Sequence, residues 1–411
     1  MKALLFPITM ACLLGIASAA PLRPFPQHST YTEGSIKPSR PQAELDTATA
    51  AFYDVWKARY FHAGCKTGEA YIFYNREKTA SSKDAISVSE GHGYGMLLTA
   101  FFAGHDPEAQ ESFDQLFAFF RAHQSHFTPS LMSWQQFRGC VDKAGDNDSA
   151  SDGDLDIAYA LLLADKQWGS TGAIDYHTEA LKVIAAIKAG EVNLSIPSLK
   201  AGDWAREDMA QVSDMRVSDF MPGHLRVFGQ ASGDAIWGSM LDKSYGLVAH
   251  LQTRFSPETG LLPDFVEHLN QPSPTPAKRK YMESAFDGQY FYNACRCPWR
   301  LGIDFLLTGD PRAKAALEKM NSFIEKKTGG DPDQIRAGYM LSGKVIHSDD
   351  TSLAFTAPFG VAAMADPAHQ RWLDHLWMHI EEVPAKDDDY YGNTLKLLCL
   401  VTLSGNWWAP L

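Results

Sequence analysis

The chain has 411 residues and a formal net charge of −12 at pH 7. This acidity argues against a nucleic-acid partner, because phosphate backbones bind basic surfaces. A hydrophobic content of 45% with 12% aromatic residues is enough for a sizeable core, in one large domain or two ordinary ones.

The first residues are typical of a secretion signal. Lys2 precedes an apolar run over residues 3–16, and Ala17-Ser18-Ala19 then form a small-residue cleavage pattern. We therefore expect residues 1–19 to be removed and the protein to be secreted into the extracellular space. A membrane anchor is the alternative, but the run is short for a bilayer. No later segment is long and apolar enough to span one, so we expect no membrane partner.

The remaining chain reads as an extended segment followed by helices. Residues 20–38 are rich in Pro, Ser and Thr, whereas residues 39–411 show helical periodicity broken by short Gly, Asp and Pro turns. These patterns predict one all-α domain, with possible strands only at 71–74 and 225–228. The predicted helices start near Gln42, Glu90, Ala109, Asp152, Asp175, Asp234, Asp287, Pro311, Asp349, Ala368 and Tyr391. Serine N-caps are predicted at Ser89, Ser151 and Ser348.

Six cysteines occur, and Cys12 lies within the predicted signal. The five that remain are an odd number, so at least one is unpaired in a secreted protein. Cys65 and Cys140 are one possible pair, although spacing does not fix connectivity. No zinc-like spacing of cysteine and histidine is present, and no metal is expected.

Three carboxylates, Asp152, Asp154 and Asp156, stand at the start of a predicted helix. The positive end of a helix dipole stabilises negative charge there, so capping is the simplest interpretation. Three acids are more than a cap requires, and a binding or catalytic role is the alternative.

A second acid, Glu90, is followed by Gly91, Gly93 and Gly95. Glycines weaken a helix but allow close backbone approach, which indicates room for a ligand beside Glu90. A flexible turn with a solvated glutamate is the alternative. A phosphate loop is not favoured, because no Gly-Lys-Ser/Thr sequence or βαβ unit is present.

The third stretch, residues 281–300, combines acids, aromatic rings and arginines. This mixture suits a sugar, since rings stack on pyranose faces while acids and arginines bind hydroxyl groups. A core-facing aromatic helix with surface acids is the alternative.

All three stretches resemble glycoside hydrolase family eight, whose members include inverting endo-glucanases, chitosanases and xylanases. The run Ala150-Ser-Asp-Gly-Asp through Trp168 is similar to the long family signature, and Ser89-Glu-Gly-His-Gly-Tyr-Gly-Met96 resembles a second segment. Asn293 to Arg300 and Leu403-Ser-Gly-Asn406 are similar to further segments. The resemblance implies that residues 39–411 form a single (α/α)6 barrel with an open substrate cleft.

By the same resemblance, Glu90 is the general acid and Asp152 is the central carboxylate that holds the sugar. The largest subgroup has Asp as general base where this chain has Asn293, and an amide cannot accept the proton. Another subgroup of chitosanases and glucanases also has Asn there and takes its base from a loop ten residues upstream. That position is Glu283, with Glu267 and Asp287 as weaker candidates. The segments 34–38 and 131–134 also resemble that subgroup.

The implied reaction is inverting hydrolysis of a β-1,4-linked polysaccharide by a monomer without a cofactor. Trp134, Tyr292 and Tyr391 are candidate stacking surfaces, while Asn293 and Arg296 are expected to line the site and to orient Tyr292, Asp152 or the water. For each aromatic residue a core position is an equally good interpretation.

Substrate choice is open at this stage. The subgroup and the acidic charge favour cationic chitosan, whereas the basic run Lys278-Arg279-Lys280 beside Glu283 argues for a glucan such as cellulose or lichenan. Two other classes remain: an inactive sugar-binding protein, suggested by Asn293, and a helical scaffold, which would leave Glu90 without a function.

Overall fold

The computed structural model describes residues 20–74 and 85–411, and the predicted secretion signal at 1–19 lies outside them. The described residues form twelve α-helices that alternate between two concentric rings. The inner ring consists of α2 (Ser89–Phe101), α4 (Ser151–Trp168), α6 (Pro222–Ser232), α8 (Cys297–Thr308), α10 (Leu353–Ala363) and α12 (Tyr390–Leu403). The outer ring consists of α1 (Gln42–Tyr60), α3 (Ala109–Ala122), α5 (Tyr176–Gly190), α7 (Ile236–Arg254), α9 (Pro311–Thr328) and α11 (Gln370–Glu382).

Burial explains which helices are inside. Almost every residue of α2, α4, α10 and α12 is buried, and a helix that is buried all round belongs in a core. Helices α3 and α11 bury only one face. Each inner helix packs on the next, and α12 closes the ring on α2. The predicted (α/α)6 barrel is therefore confirmed.

An extended segment, residues 20–40, crosses one end of the barrel. Its backbone N–H groups donate to carbonyls at or just beyond the C-terminal ends of five inner helices. These bonds are Leu22 to Gln167, Phe25 to Ala103, Ser29 to Gly405, Thr32 to Leu306 and Ile36 to Met364. Helix ends have unpaired carbonyls that need donors, so this segment seals the C-terminal end and leaves the N-terminal ends of the inner helices open.

Short antiparallel strands extend the connections between helices. The strands are β1 (Phe61–Ala63), β2 (Ala70–Ile72), β3 (Ala85–Val88), β4 (Gln135–Phe137), β5 (Val192–Asn193), β6 (Ser198–Leu199), β7 (Met215–Arg216), β8 (Phe265–Glu267) and β9 (Thr275–Pro276). They pair as β1–β2, β3–β4, β5–β6 and β7–β8–β9. Within the described ranges, no helix is both long and apolar enough to cross a membrane.

Several local predictions were wrong. Residues 225–228 lie in α6, where Pro222 occupies the first turn and Gly233 ends the helix in a left-handed conformation. The apolar run is buried against the neighbouring inner helices, and short apolar runs do not distinguish strand from helix. The helix predicted near Asp287 begins at Cys297 instead, after a 3-10 turn at Ala294–Arg296.

The serine caps were also misplaced. Ser89 and Ser151 are the first residues inside α2 and α4, and neither caps its helix. Helix α10 starts at Leu353 rather than near Asp349, and its cap is Ser352, whose hydroxyl accepts from the Ala354 N–H. The backbone before α2 and α4 is extended because it continues from β3 and from the loop after β4.

Cys65 and Cys140 form a disulfide, while Cys295, Cys297 and Cys399 are free and buried. The disulfide joins the β1–β2 turn to the loop after β4. Strand β4 pairs with β3, and β3 leads into α2. We expect replacement of both cysteines by serine to lower the free energy of unfolding by about 2–4 kcal/mol, because the crosslink restricts the unfolded chain. Urea denaturation measures this change.

Dithiothreitol provides the matched control for that variant. Reduction should lower the stability of the native protein to that of the Cys65→Ser/Cys140→Ser variant and leave the variant unchanged. Equal stability of the oxidised and reduced native protein would contradict the prediction.

Candidate active site

The N-terminal ends of the inner helices lie together at the open end of the barrel. Glu90 lies in the first turn of α2, Asp152 in the first turn of α4, and Tyr391 in the first turn of α12. Arg296 directly precedes α8. Helix N-termini favour negative charge, so this end of the barrel suits carboxylates.

Glycines bring α2 and α4 close together. A Cβ on Gly93 would lie 2.8 Å from Cβ of Asp156, and one on Gly153 would lie 2.5 Å from the backbone of Ser89. A Cβ on Gly91 would collide with the Tyr390 hydroxyl. The room predicted beside Glu90 is therefore taken by neighbouring helices, and it serves to place Glu90 next to Asp152.

Arg296 connects these two carboxylates. Its Nη1 donates to Glu90 Oε2 at 2.5 Å and to Asp152 Oδ2 at 2.8 Å. Arg216 Nη1 lies 3.3 Å from the same Asp152 oxygen. Both arginines are buried, so their charges are balanced by these carboxylates rather than by solvent.

The same surroundings shift the pKa values of Glu90 and Asp152 in opposite directions. Burial raises the pKa of Glu90 to about 7, with Arg296 opposing the shift and the Asp152 charge adding to it. Burial alone would also raise the pKa of Asp152, but Arg216 and Arg296 outweigh it and hold that pKa below its usual value. Near pH 7 one group is thus suited to donate a proton while the other stays ionised.

Glu283 lies at the other end of this network. Its side chain is 43% exposed, and its Oε1 accepts from Arg216 Nη2 at 3.0 Å. Oε2 accepts from Asn293 Nδ2 at 2.8 Å. Asn293 Oδ1 in turn accepts from Arg296 Nη2 at 3.1 Å, so Asn293 bridges Glu283 to the arginine that binds Glu90.

The two weaker base candidates have other contacts. Asp287 is completely buried, and its oxygens accept backbone N–H bonds from Met282, Glu283 and Ser284. Glu267 is 8% exposed and accepts from the Lys278 N–H at 2.8 Å. Neither resembles Glu283, which combines an exposed carboxylate with links to both arginines.

The chain is similar to known proteins over nearly its whole length. The profile of the glycosyl hydrolases family 8 matches residues 35–405. A beta-glucanase from Niallia circulans is 43% identical over 98% of this chain and 97% of its own length. An endoglucanase from Bacillus sp. (strain KSM-330) is 37% identical over 96% of this chain and 84% of its own length.

A solved structure of a glucanase has the same fold. The apo beta-1,3-1,4-glucanase from Paenibacillus sp. X4 superposes with a TM-score of 0.89 at 44% identity, covering 95% of this chain and 100% of that one. The chain belongs to glycosyl hydrolase family 8. It is therefore a glycosidase, and Glu90, Asp152 and Glu283 are its candidate reacting groups.

The predicted aromatic residues of this family 8 glycosidase line the same end of the barrel. Tyr292 is 40% exposed, and the Tyr391 hydroxyl donates to its backbone carbonyl at 2.8 Å. The two rings are 6.3 Å apart, so they form one wall. Trp134 is partly exposed, and its carbonyl accepts the Ser89 N–H beside Glu90.

Sequence reasoning missed Arg216 and Asp219. Asp219 is fully buried, with neither oxygen hydrogen-bonded within the described part of the chain, and it lies 3.5 Å from Arg216 Nη1. Burial raises its pKa to about 7, against the pull of Arg216. A weak signal was present for Asp219, which lies in a 3-10 turn shortly before Pro222 begins α6, as Arg296 lies shortly before Pro298 of α8. Arg216 is further upstream, in β7, and has no comparable signal.

The other two acids of the 152–156 run do not reach the cleft. Asp156 pairs with Arg300 at 2.5 Å and with His224 at 2.8 Å. Asp154 accepts the Met132 N–H at 2.7 Å and faces the buried Glu191, so that burial and their mutual repulsion raise the pKa of Asp154. Only Asp152 is a substrate-facing candidate.

Glu191 makes stability depend on pH. Burial raises its pKa to about 8, so the folded state keeps a proton that the unfolded chain loses above its ordinary value near 4.5. The stabilisation is complete below that ordinary value and is lost as pH rises through about 8. Between pH 5 and 8 we therefore expect the unfolding free energy of the native protein to fall more steeply than that of Glu191→Gln, which has no such proton to lose.

Urea titrations at several pH values would measure this difference. The exposed Glu258→Gln is the control and should follow the native curve. Parallel curves for Glu191→Gln and the native protein would contradict the prediction.

In the described ranges no cluster of three or more His, Cys, Asp or Glu side chains is arranged to hold a metal ion.

Proposed function

We propose that this protein is a secreted endo-acting β-glucanase that hydrolyses its substrate with inversion at the anomeric carbon. The observation that carries the proposal is the network of Arg216, Arg296 and Asn293, which joins Glu90, Asp152 and Glu283 at the open end of the barrel. Inverting glycosidases need such a pair of carboxyl groups with room for one water between them.

Glu90 acts first in this mechanism. Its raised pKa keeps it protonated near neutrality, and it donates that proton to the glycosidic oxygen as the bond to the anomeric carbon breaks. Asp152 remains ionised and stabilises the positive charge that develops on the sugar ring. Arg296 fixes the relative position of the two groups.

Glu283 acts as the base. It takes a proton from a water molecule whose oxygen bonds to the anomeric carbon on the face opposite the leaving group. Asn293 cannot accept a proton, but its amide donates to Glu283 and so orients the carboxylate. This contact argues against the inactive sugar-binding alternative, in which Asn293 would mark a lost base.

For the substrate we propose mixed-linkage or β-1,4-linked glucan. The relatives above are named as glucanases, and the chitosan preference expected from the sequence has no support among them. Lys278, Arg279 and Lys280 are all exposed on the Glu283 loop, and their charges repel the ammonium groups of chitosan. The overall acidity is a weaker argument, because it does not locate charge at the cleft.

The test is hydrolysis of lichenan, carboxymethylcellulose and chitosan by the mature protein, measured as reducing ends released. We expect activity on the two glucans and background release from chitosan. The Glu90→Gln variant is the control for contaminating enzymes. Faster hydrolysis of chitosan than of both glucans would overturn the substrate assignment.

The pH dependence of kcat/KM tests the role of Glu90. Because Glu90 must carry a proton and its pKa is about 7, kcat/KM should decline as pH rises through that value. Initial rates on lichenan between pH 4 and 9 measure this limb. A profile that stays flat to pH 9 would show that the acid has a higher pKa or is another group.

Secretion and a monomeric state remain proposals. Export rests on the sequence of residues 1–19, and N-terminal sequencing of the protein recovered from culture medium should begin at Ala20. Gel filtration should give the mass of one chain.

A further inference from the structure

Asp287 has an unusual set of contacts for a residue beside the cleft. It is completely buried, and three successive backbone N–H groups point at its carboxylate. Met282 and Glu283 donate to Oδ2 at 2.7 and 3.1 Å, and Ser284 donates to Oδ1 at 2.7 Å. The middle donor belongs to the proposed base.

Three donors on one carboxylate fix the local backbone. Hydrogen bonds to a charged acceptor are stronger than neutral ones, and here they restrain the peptide groups on both sides of the Glu283 Cα. Arg216 and Asn293 hold the carboxylate at the end of the half-exposed Glu283 side chain, whereas the direction in which the side chain leaves the backbone is set by this turn.

The turn is also tied to the rest of the site. The carbonyl of Asp287 accepts the Phe265 N–H of β8 at 2.8 Å. Phe265 pairs in register with Arg216 of β7, and Arg216 binds the Glu283 carboxylate. Asp287 thus fixes the backbone of the base to the same small sheet that carries the arginine bound to its side chain.

We propose that Asp287 is the positioning residue of the general base: it holds the 282–284 turn so that the Glu283 carboxylate faces the attacking water. This inference rests on the function proposed above. Asp287 is not an alternative base, because it is inaccessible and both of its oxygens are occupied.

The first test compares Asp287→Ala with the native enzyme on lichenan. We expect kcat to fall about 10²-fold, since a displacement of about 1 Å in a reacting group has that effect, while KM stays within about threefold because Asp287 does not face the cleft. Glu267→Gln is the matched control. Glu267 also accepts a backbone N–H of this loop, from Lys278, but not at the turn of the base, so its kcat should change less than threefold.

Azide distinguishes a misplaced base from general structural damage. Azide needs no base: its nitrogen bonds to the anomeric carbon as the glycosidic carbon–oxygen bond breaks, and the leaving oxygen takes the proton of Glu90. We expect azide to accelerate Glu283→Ala and Asp287→Ala alike and to yield an α-glycosyl azide, with no effect on Glu90→Gln.

The outcomes separate the two proposals. Unchanged kcat in Asp287→Ala, or azide rescue of Glu283→Ala but not of Asp287→Ala, would overturn the positioning role and leave the base assignment intact. Failure of azide to rescue Glu283→Ala would instead overturn Glu283 as base. Asp287→Asn, which keeps one acceptor oxygen, replaces the alanine variant if that variant does not fold. If neither variant folds, Asp287 is a folding residue and the proposal is wrong.

Discussion

Replacing Glu90 with glutamine should lower kcat on lichenan by about 10³-fold, within the range expected for loss of a general acid. Glutamine keeps the size of the side chain and its contact with Arg296, but it has no proton to give to the leaving sugar. Thermal unfolding should change little, because the amide oxygen can still accept from Arg296 Nη1. Steady-state kinetics on purified variants measures the effect.

Two controls make this result specific to proton donation. Glu44→Gln removes an exposed carboxylate in the first turn of another helix, α1, and should leave kcat unchanged. A dinitrophenolate leaving group departs from a β-glycoside without being protonated. Glu90→Gln should therefore hydrolyse a dinitrophenyl β-glycoside almost as fast as the native enzyme does. Equal losses on both substrates would exclude Glu90 as the acid.

Replacing Glu283 with glutamine should lower kcat by about 10²–10³-fold, with little change in KM. The amide oxygen can still accept from Arg216 Nη2, so the side chain keeps its size and one of its two contacts. The contact with Asn293 Nδ2 is lost together with the ability to take a proton, because the amide NH2 group cannot accept. Measurements of kcat and KM on lichenan quantify the change.

Comparison of the two leaving groups also shows whether Glu283 acts in the attack of water or in the departure of the leaving group. Because water attack is required whatever leaves, Glu283→Gln should be equally slow on lichenan and on the dinitrophenyl glycoside, in contrast to Glu90→Gln. Glu267→Gln, which changes a buried carboxylate of β8 that accepts a backbone N–H of the Glu283 loop, serves as the control. Native rates in Glu283→Gln would mean that the base lies elsewhere.

The all-α class could be predicted from the sequence because helical periodicity is a local signal. The arrangement of the helices as an (α/α)6 barrel was implied by the family resemblance. The ring of helices that are buried all round, such as α10 and α12, corresponds to the long apolar runs. The error at 225–228 has the same origin, since Leu225 and Phe228 are apolar in either conformation and only their packing in α6 decides between them.

The site was only partly predictable for a different reason. Glu90 and Asp152 stand at helix starts with local signals, and Glu283 followed from the resemblance once Asn293 had been noticed. Arg216 reaches Glu283 across 67 positions of sequence, through the pairing of β7 with β8, which no local pattern encodes. The three glycines beside Glu90 were assigned to a ligand, whereas they accommodate Asp156, Tyr390 and β2.

Proton NMR of the products released from lichenan in the first minutes of reaction tests the central claim most directly. If Glu90 and Glu283 act on opposite sides of one linkage with a water between them, the new reducing ends appear first as the α-anomer and the β-anomer grows in by mutarotation. Initial release of the β-anomer would mean retention, and it would contradict the assignment of Glu283 as a base acting on water.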